Sequence, residues 1–175
     1  RAYRSLEKTE ITENLINNLA ASASLSASCY NNQPWKFVFV YENAVLKELK
    51  TALAKGNAWA QNASMIIAVL SKATDDCILD YRKYYLFDTG MATAFLILKA
   101  TELGYVAHPI AGYNPEIVKR VIKSPEDMEI VTLIIFGKHK EDIDPVLNEK
   151  QRNDEIKRPQ RKSFSEYACL NKYCF

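Results

Sequence analysis

The chain has 175 residues, of which 48% are hydrophobic and 25% are charged, and its formal net charge is +2. A chain of this length and composition is expected to form one globular domain with a substantial core. So small a net charge gives no sign of a nucleic-acid or membrane-surface partner. No apolar run approaches the roughly 20 residues that a membrane-spanning helix needs. We therefore expect neither a nucleic-acid nor a membrane partner.

The four cysteines, Cys29, Cys77, Cys169 and Cys174, show neither metal-ligand spacing nor a CxxC motif. In a chain of this size, that pattern predicts reduced thiols and a cytoplasmic protein rather than a disulfide framework. No metal-ligand set is recognisable, so no metal is expected. We expect no signal peptide. Because the sequence begins with arginine rather than methionine, we also expect a few residues to precede Arg1.

The first half of the chain predicts helices and strands in alternation. Thr12 is placed to cap a first helix and Asn43 to cap a second. Residues 36–41 are β-branched and aromatic, with apolar side chains on both faces, which predicts an interior strand. Residues 65–70 form an unbroken apolar run of strand length, which predicts a second buried strand.

The second half predicts one long helix followed by a strand, a short helix and a last strand. Residues 86–103 carry apolar side chains at helical spacing, as expected for the centre of the core or of a dimer interface. Residues 105–110 predict a strand, and the Asn-Pro pair at 114–115 predicts a helix start. Residues 129–136 predict a strand that ends at Gly137. We therefore expect an α+β domain, with a mixed central β-sheet flanked by helices.

The composition changes after Gly137. Residues 1–137 are expected to form the core, and residues 138–175 a C-terminal extension within a single domain overall. The extension is charged at first and shows little periodicity, but its end is rich in apolar residues: Tyr167, Leu170, Tyr173 and Phe175. A polar tether that ends in this way is expected to dock on the core or on a partner subunit.

A polar loop, Ser26–Phe37, joins the first predicted helix to the first predicted strand. It is rich in Ser, Asn and Gln and is closed by a Pro-Trp pair at 34–35. Its backbone N–H groups, amide side chains and indole suit the edge of a planar ligand, although ordinary surface connections have a similar composition. Cys29 lies inside this loop, where we interpret it as a small filler residue rather than a redox thiol.

Several separated segments, in the right order, resemble the FMN-dependent nitroreductase family. The resemblance covers nearly all of the chain and implies a nitroreductase-like fold in an intertwined homodimer that binds FMN at the subunit interface. Two departures are alanines, at position 2 in place of a hydroxyl residue and at position 27 in place of a proline. The matching segments are Arg1–Arg4, Ser26–Phe37, Gly56–Ala60, Asp88–Gly90, Leu103–Gly104, Pro109–Asn114 and Arg158–Lys162.

The resemblance implies how the chain would bind the cofactor phosphate. This group carries about two negative charges and favours guanidinium donors. Arg1 and Arg161 match the family's phosphate-binding positions, with Arg158 or Lys162 in support. Arg4 matches a second basic position that lies near N1/O2 of the flavin, where a cation favours the reduced ring.

The resemblance also implies contacts to the remainder of FMN. Ser28 and Asn31 would bind the ribityl and pyrimidine edges, and Asn57 would add a polar contact. The backbone N–H groups of Ala111 and Gly112 would lie near N5/O4. The expected cofactor-binding set is completed by Ala2, Gln33 and Ile110.

Three aromatic residues and one histidine allow more than one interpretation. Trp59 and Tyr30 either line the substrate side or pack within the protein. Trp35 is expected to pack beside the loop rather than stack on the flavin. His108 falls in a predicted strand and is interpreted as a satisfied core or interface histidine.

The implied activity is that of an FMN-dependent oxidoreductase. It would move electrons from NAD(P)H to small electrophilic acceptors, such as nitroaromatics and quinones, by a ping-pong mechanism through flavin N5. No catalytic side chain is expected, because the cofactor carries the chemistry. One alternative is a non-catalytic FMN-binding or flavin-sensing protein. Another is a family branch with unusual chemistry, such as reductive dehalogenation or flavin fragmentation, against which the short segment 71–86 argues.

Overall fold

A five-stranded β-sheet lies at the centre of the computed structural model, which describes residues 1–175. The sheet strands are β1 (Leu6–Glu7), β2 (Lys36–Val40), β3 (Met65–Ser71), β6 (Tyr105–Ile110) and β7 (Glu129–His139). A separate two-stranded sheet consists of β4 (Ile78–Leu79) and β5 (Arg82–Lys83). The helices are α1 (Glu13–Ser24), α2 (Asn43–Leu49), α3 (Tyr85–Glu102), α4 (Pro115–Ile122) and α5 (Glu149–Ile156). The expected α+β class is confirmed.

The strand pairs are all antiparallel. The sheet is therefore not the mixed sheet that we expected. β2 pairs only with β3 and therefore lies at an edge of the sheet. The prediction of an interior strand at 36–41 is wrong for a physical reason. Apolar residues on both sides of a strand indicate that both faces of the sheet are covered, as helices cover them here. They do not indicate whether the strand has a hydrogen-bonded neighbour on each side.

β7 forms hydrogen-bonded pairs with three other strands of the sheet, β1, β3 and β6. Lys138 pairs with Glu7 of β1 on one side and with Tyr105 of β6 on the other. The prediction that this strand ends at Gly137 is therefore wrong. Partners on both sides continue the hydrogen-bonded ladder past the glycine to His139.

Alternate residues of β3 point into two separate core clusters, and every residue of this strand is buried. Met65, Ile67 and Val69 pack with residues of α1 and α3 on one face. Ile66, Ala68 and Leu70 pack with residues of α2 and α4 on the other face. The sheet is therefore the middle of three layers, as its unbroken apolar run predicts.

Polar side chains start two of the helices as expected. The Thr12 hydroxyl accepts a hydrogen bond from the Leu15 N–H at the start of α1. Asn114 caps α4 by accepting from the N–H of Glu116, and proline follows it at the first helical position. Asn43 is the first residue of α2 rather than its cap, because the helix begins one residue earlier than we expected.

The helix α3 has one buried face and one exposed face. Ala92, Leu96 and Ala100 are fully buried against the sheet. The opposite face exposes four large apolar side chains, Leu86, Phe87, Phe95 and Leu98. None of the helices, α3 included, combines the length and the apolar character that a membrane span requires.

The segment that follows β7 contacts the N-terminus of the chain. Its charged sequence gave no helical pattern, yet α5 forms and begins with a capping box between Asn148 and Gln151. Glu155 of this helix is buried and accepts hydrogen bonds from the backbone N–H groups of Arg4 and Ser5. The apolar side chains beyond residue 163 are exposed, and their docking on a surface stays a prediction.

Two disulfides join the four cysteines in pairs: Cys29 with Cys77, and Cys169 with Cys174. The prediction of reduced thiols is therefore wrong. Cys29 and Cys77 are 48 residues apart in sequence but have Cα atoms 6.0 Å apart, because the polar loop packs against the segment that precedes α3. Sequence spacing carries no record of this long-range contact. The cytoplasmic location inferred from free thiols stays a prediction.

The cap of α1 can be tested by substitution. Thr12→Ala removes the acceptor for the Leu15 N–H and is expected to lower the free energy of unfolding by about 1 kcal/mol. Thr12→Ser keeps the hydroxyl and should remain close to wild type. Urea denaturation measures both variants, and equal stability of the alanine and serine variants would contradict the assignment.

Candidate functional site

Four arginines from opposite ends of the chain line one small cavity. Arg1, Arg4, Arg158 and Arg161 surround a space of about 150 Å³ together with Asp154, and we call these four residues the arginine cluster. An Arg1 guanidinium N–H donates to the backbone carbonyl of Asp154. The nearest Arg4 nitrogen lies 3.8 Å from the Asp154 carboxylate. The lining of the cavity therefore contains four arginines and a single acidic residue.

Side chains of α5 position the arginine cluster by bonding to the backbone of other segments. The Glu155 carboxylate accepts from the Arg4 N–H at 2.7 Å and from the Ser5 N–H at 3.2 Å. In the same helix, Gln151 Nε2 donates to the Gly56 carbonyl at 3.0 Å. The helix is thereby fixed to the N-terminal segment and to the turn at 55–62. Arg158 and Arg161 follow directly after it.

The donor set of this cavity fits a phosphate group. A guanidinium group offers a planar fork of N–H donors that matches phosphate oxygens, and its charge persists at any physiological pH. Asp154 neutralises only part of the positive charge, so an anionic ligand would be favoured electrostatically. Lys162 does not line this cavity. It lies at a neighbouring surface depression with Gln160, Arg161 and Tyr167.

A second element of the site joins Asn57 to Gly112. Asn57 Nδ2 donates to the Gly112 carbonyl at 2.9 Å, and the Ala54 N–H donates to the same oxygen at 3.0 Å. The N–H groups of Ala111 and Gly112 donate no hydrogen bond within the chain. These two donors are therefore available to a ligand. Ile110, also expected at the site, has its side chain buried in the core.

The N-terminal segment is further held by His108 and Trp59. His108 Nδ1 lies 3.0 Å from the Tyr3 carbonyl, so a proton on Nδ1 is donated to that oxygen. The Trp59 ring packs 4.7 Å from the His108 ring and is only 1% exposed. Trp59 therefore packs in the core, and the alternative that it lines the substrate side is wrong. Burial lowers the pKa of His108 below its ordinary value.

The polar loop holds its own side chains together. Ser28 Oγ accepts from the Gln33 N–H at 3.0 Å, and Gln33 Nε2 donates to Asn31 Oδ1 at 3.2 Å. Tyr30, Asn31 and Gln33 all have positive φ angles, of 47°, 59° and 51°. Residues other than glycine rarely adopt this left-handed region, so surrounding contacts must maintain the loop. Trp35 at its end packs against the core, as expected.

Those surrounding contacts come from α3 and from the segment before it. The Cys29 N–H donates to Asp88 Oδ2 at 2.6 Å, and Asp88 is only 2% exposed. Asn32 Nδ2 donates to Asp76 Oδ1 at 3.3 Å, and the Cys29–Cys77 disulfide adds a covalent link. Burial, together with the nearby negative charge of Asp76, raises the pKa of Asp88.

Sequence reasoning missed the roles of Asp88, Asp76 and Glu155. The available signal was weak, because a carboxylate within an apolar helix indicates a buried partner without naming it. The partners of Asp88 and Glu155 are backbone N–H groups that lie 59 or more residues away in sequence.

The expected site residues form two groups within one protomer. One group contains the arginine cluster, Asn57, Ala111 and Gly112, which α5 and the turn at 55–62 connect. The other contains Ser28, Asn31 and Gln33 of the polar loop. No hydrogen bond joins a residue of one group to a residue of the other.

The close approach at Gly112 generates a test. A Cβ atom added there would lie 2.7 Å from Asn57 Nδ2, so Gly112→Ala must displace the amide that donates to the Gly112 carbonyl. We expect a loss of about 1 kcal/mol in the free energy of unfolding. Gly56→Ala is the matched control, because its Cβ would meet no atom within 4 Å. Equal stability of the two variants in urea would contradict the contact.

The lowered pKa of His108 predicts that the stability of the folded protein depends on pH. Because the folded chain lowers the pKa of His108, the unfolded chain binds the proton more readily. The folded protein should therefore lose stability as the pH falls through about 6.5, by at most about 1.4 kcal/mol for each pH unit. His108→Asn removes this titration. Urea denaturation between pH 7.5 and 5.5 measures the difference, and identical pH profiles for variant and wild type would disprove the assignment.

The chain is similar in sequence to known proteins. No protein-family model matches the chain. A protein of Bacillus subtilis provisionally named an NAD(P)H nitroreductase is 24% identical, with 74% of this chain and 80% of the relative covered. An Archaeoglobus fulgidus protein provisionally named an NADH dehydrogenase/NAD(P)H nitroreductase is 26% identical, with 82% and 83% covered.

The fold is shared with solved structures as well. A crystal structure described as an oxidoreductase containing FMN aligns with a TM-score of 0.86 at 21% identity, and the alignment covers 99% of this chain and 89% of that one. A nitroreductase family protein of Clostridium difficile aligns with a TM-score of 0.78 at 18% identity, covering 99% and 94%. Together with the sequence relatives, these matches show that the chain has the fold of nitroreductase family proteins.

Proposed function

We propose that this protein is an FMN-dependent oxidoreductase that uses NAD(P)H to reduce small electrophilic acceptors, such as nitroaromatics and quinones, in a ping-pong reaction. The observation that carries the proposal is the arginine cluster, whose four guanidinium groups surround one cavity of about 150 Å³. The names of the two sequence relatives and of the FMN-containing neighbour support the same class of reaction.

The arginine cluster would bind the FMN phosphate. Arg1, Arg158 and Arg161 offer charge-assisted hydrogen bonds, which are stronger than those between neutral groups. Arg4 is fixed through its own backbone N–H by Glu155, so its guanidinium extends from a defined position. We assign Arg4 the role of a cation beside the pyrimidine edge of the flavin, where positive charge favours the reduced ring. Lys162 adds positive charge nearby without lining the cavity.

The Asn57–Gly112 element would orient the ring. The unused N–H groups of Ala111 and Gly112 are two donors for the acceptor atoms at N5/O4. The Asn57 amide holds the Gly112 carbonyl and thereby sets the direction of these donors. The absence of a Cβ at position 112 leaves room for that amide.

Bound FMN would supply the redox chemistry, as acceptor of a hydride from NAD(P)H and donor to the electrophile. The chain's own residues therefore need only bind, orient and adjust the electrostatics of the ring. His108 is consistent with this division of labour, because its Nδ1 is committed to the Tyr3 carbonyl and its ring is packed against Trp59.

We propose that the complete site forms in a homodimer. Within one protomer, no hydrogen bond joins the polar loop to the arginine cluster, although residues of both are expected to contact one flavin. The exposed apolar face of α3, with Phe87 at 62% and Leu98 at 68% exposure, offers a surface for a second copy. The apolar C-terminal segment beyond residue 163 would dock on that partner.

A flavin titration tests the proposal. Purified protein is titrated into FMN, and quenching of the flavin fluorescence gives the dissociation constant. Arg161→Gln should weaken binding about tenfold to a hundredfold, because it removes a charged donor from the cavity. Arg120→Gln is the matched control, since Arg120 lies exposed on α4 and away from this cavity. Equal effects of the two variants would contradict the assigned phosphate site.

Reduction is measured on the FMN-loaded protein under anaerobic conditions. We expect the visible flavin absorbance to bleach on addition of NADH or NADPH and to return on addition of a quinone or nitroaromatic. A colourless protein that ignores added FMN would refute the proposed function. A yellow protein that neither nicotinamide bleaches would instead be a non-catalytic FMN-binding protein.

A further inference from the structure

We propose that the Cys29–Cys77 disulfide is an exchange site for a dithiol reductant, and that its reduction releases the polar loop. A consequence for flavin affinity rests on the proposed function, because the loop carries Ser28, Asn31 and Gln33. Release of the loop itself does not depend on a flavin.

The two cysteine residues differ in exposure. Cys77 is buried, with 9% of its surface exposed, whereas Cys29 is only partly buried and lies next to Tyr30, which is 85% exposed. An incoming thiolate therefore reaches Cys29 more readily. Attack at Cys29 Sγ makes the Cys77 sulfur the leaving group.

The surroundings of Cys77 suit a departing thiolate. Asn32 Nδ2 lies 3.5 Å from Cys77 Sγ and donates toward it, so this amide stabilises negative charge on the sulfur. An Asp76 carboxylate oxygen lies within 4.8 Å of both sulfur atoms. Asp76 Oδ2 is buried and has no hydrogen-bond partner, and Asp88 beside it has a raised pKa. The proton lost by the attacking thiol returns to the Cys77 thiolate through solvent.

The exchange balances with a dithiol as the only co-reactant. One thiolate of the reductant attacks Cys29 Sγ, the Cys29–Cys77 bond breaks, and its electron pair goes to Cys77 Sγ, which is then protonated. The second thiol of the reductant attacks the sulfur bound to Cys29 and releases a Cys29 thiol. The protein disulfide gains two electrons, and the reductant becomes a disulfide.

Reduction of the Cys29–Cys77 disulfide is expected to affect the polar loop because of the loop's backbone conformation. Tyr30, Asn31 and Gln33 all have left-handed backbones without a glycine among them. Such conformations persist only where surrounding contacts enforce them. The end of the loop is held separately, by a hydrogen bond from Ser71 Oγ to the Pro34 carbonyl and by the packing of Trp35. Its first part, which contains the three left-handed residues, is held to its neighbours by the disulfide and by hydrogen bonds to Asp88 and Asp76. Removal of the covalent link is therefore expected to let the three residues relax.

The experiment uses the full chain and dithiothreitol as the dithiol. Cys169→Ser/Cys174→Ser leaves Cys29–Cys77 as the only disulfide, so thiols that appear on treatment can be assigned by alkylation and mass spectrometry. Hydrogen exchange of residues 28–33 is then compared before and after reduction. Cys29→Ser/Cys77→Ser reproduces the reduced state without reductant, and FMN affinity is measured in every form.

We expect the disulfide to be reduced while the protein stays folded, and exchange to rise in residues 28–33 and not in β3. The FMN dissociation constant should increase about tenfold. A disulfide that yields only after unfolding overturns the inference, as does reduction without faster exchange in the loop. Faster exchange with unchanged FMN affinity overturns the consequence for binding. If the loop is released but no form binds FMN, the inference stands and the proposed function fails.

Discussion

The Glu155 carboxylate is the contact on which the geometry of the candidate site depends. It is buried and accepts hydrogen bonds from the N–H groups of Arg4 and Ser5, and these bonds fix α5 against the start of the chain. A buried carboxylate is costly unless such donors compensate it. The contact also brings the N-terminal arginines to the cavity that Arg158 and Arg161 line. The free energy for this arrangement comes from backbone hydrogen bonds and core packing, so the positive charge is in place before any anion binds.

The elements that sequence patterns predict well are those whose faces are covered. β3, β6 and α4 appear where periodicity and capping residues indicate them. The wrong predictions concern edges and long-range partners. The edge position of β2, the continuation of β7 beyond Gly137 and the Cys29–Cys77 disulfide each depend on which segment arrives from elsewhere in the chain. Helix α5 belongs with them, because its polar sequence has little apolar face and Glu155 supplies the tertiary contact.

At the candidate site, too, some residues can be predicted from the sequence, whereas their long-range partners cannot. The cations of the arginine cluster and the Asn57–Gly112 element were identified through resemblance, since their residue types suit phosphate and ring acceptors. The groups that position them were not identified. Glu155 and Asp88 hold distant backbone N–H groups, and any carboxylate could do so wherever folding brings it close. A ligand restricts which side chains may contact it, whereas a backbone N–H group is offered at almost every position of the chain.

The exposed face of α3 and the polar loop are connected through one helical turn. Asp88 lies in the first turn of α3 and accepts the hydrogen bond from the Cys29 N–H. Leu86 and Phe87 precede it directly and point large apolar side chains into solvent. A surface that covered these two side chains would also restrict the turn that carries Asp88, and with it the left-handed backbone of the loop. Burial of that apolar face and order in the loop would then stabilise each other, because both limit the motion of the same few residues.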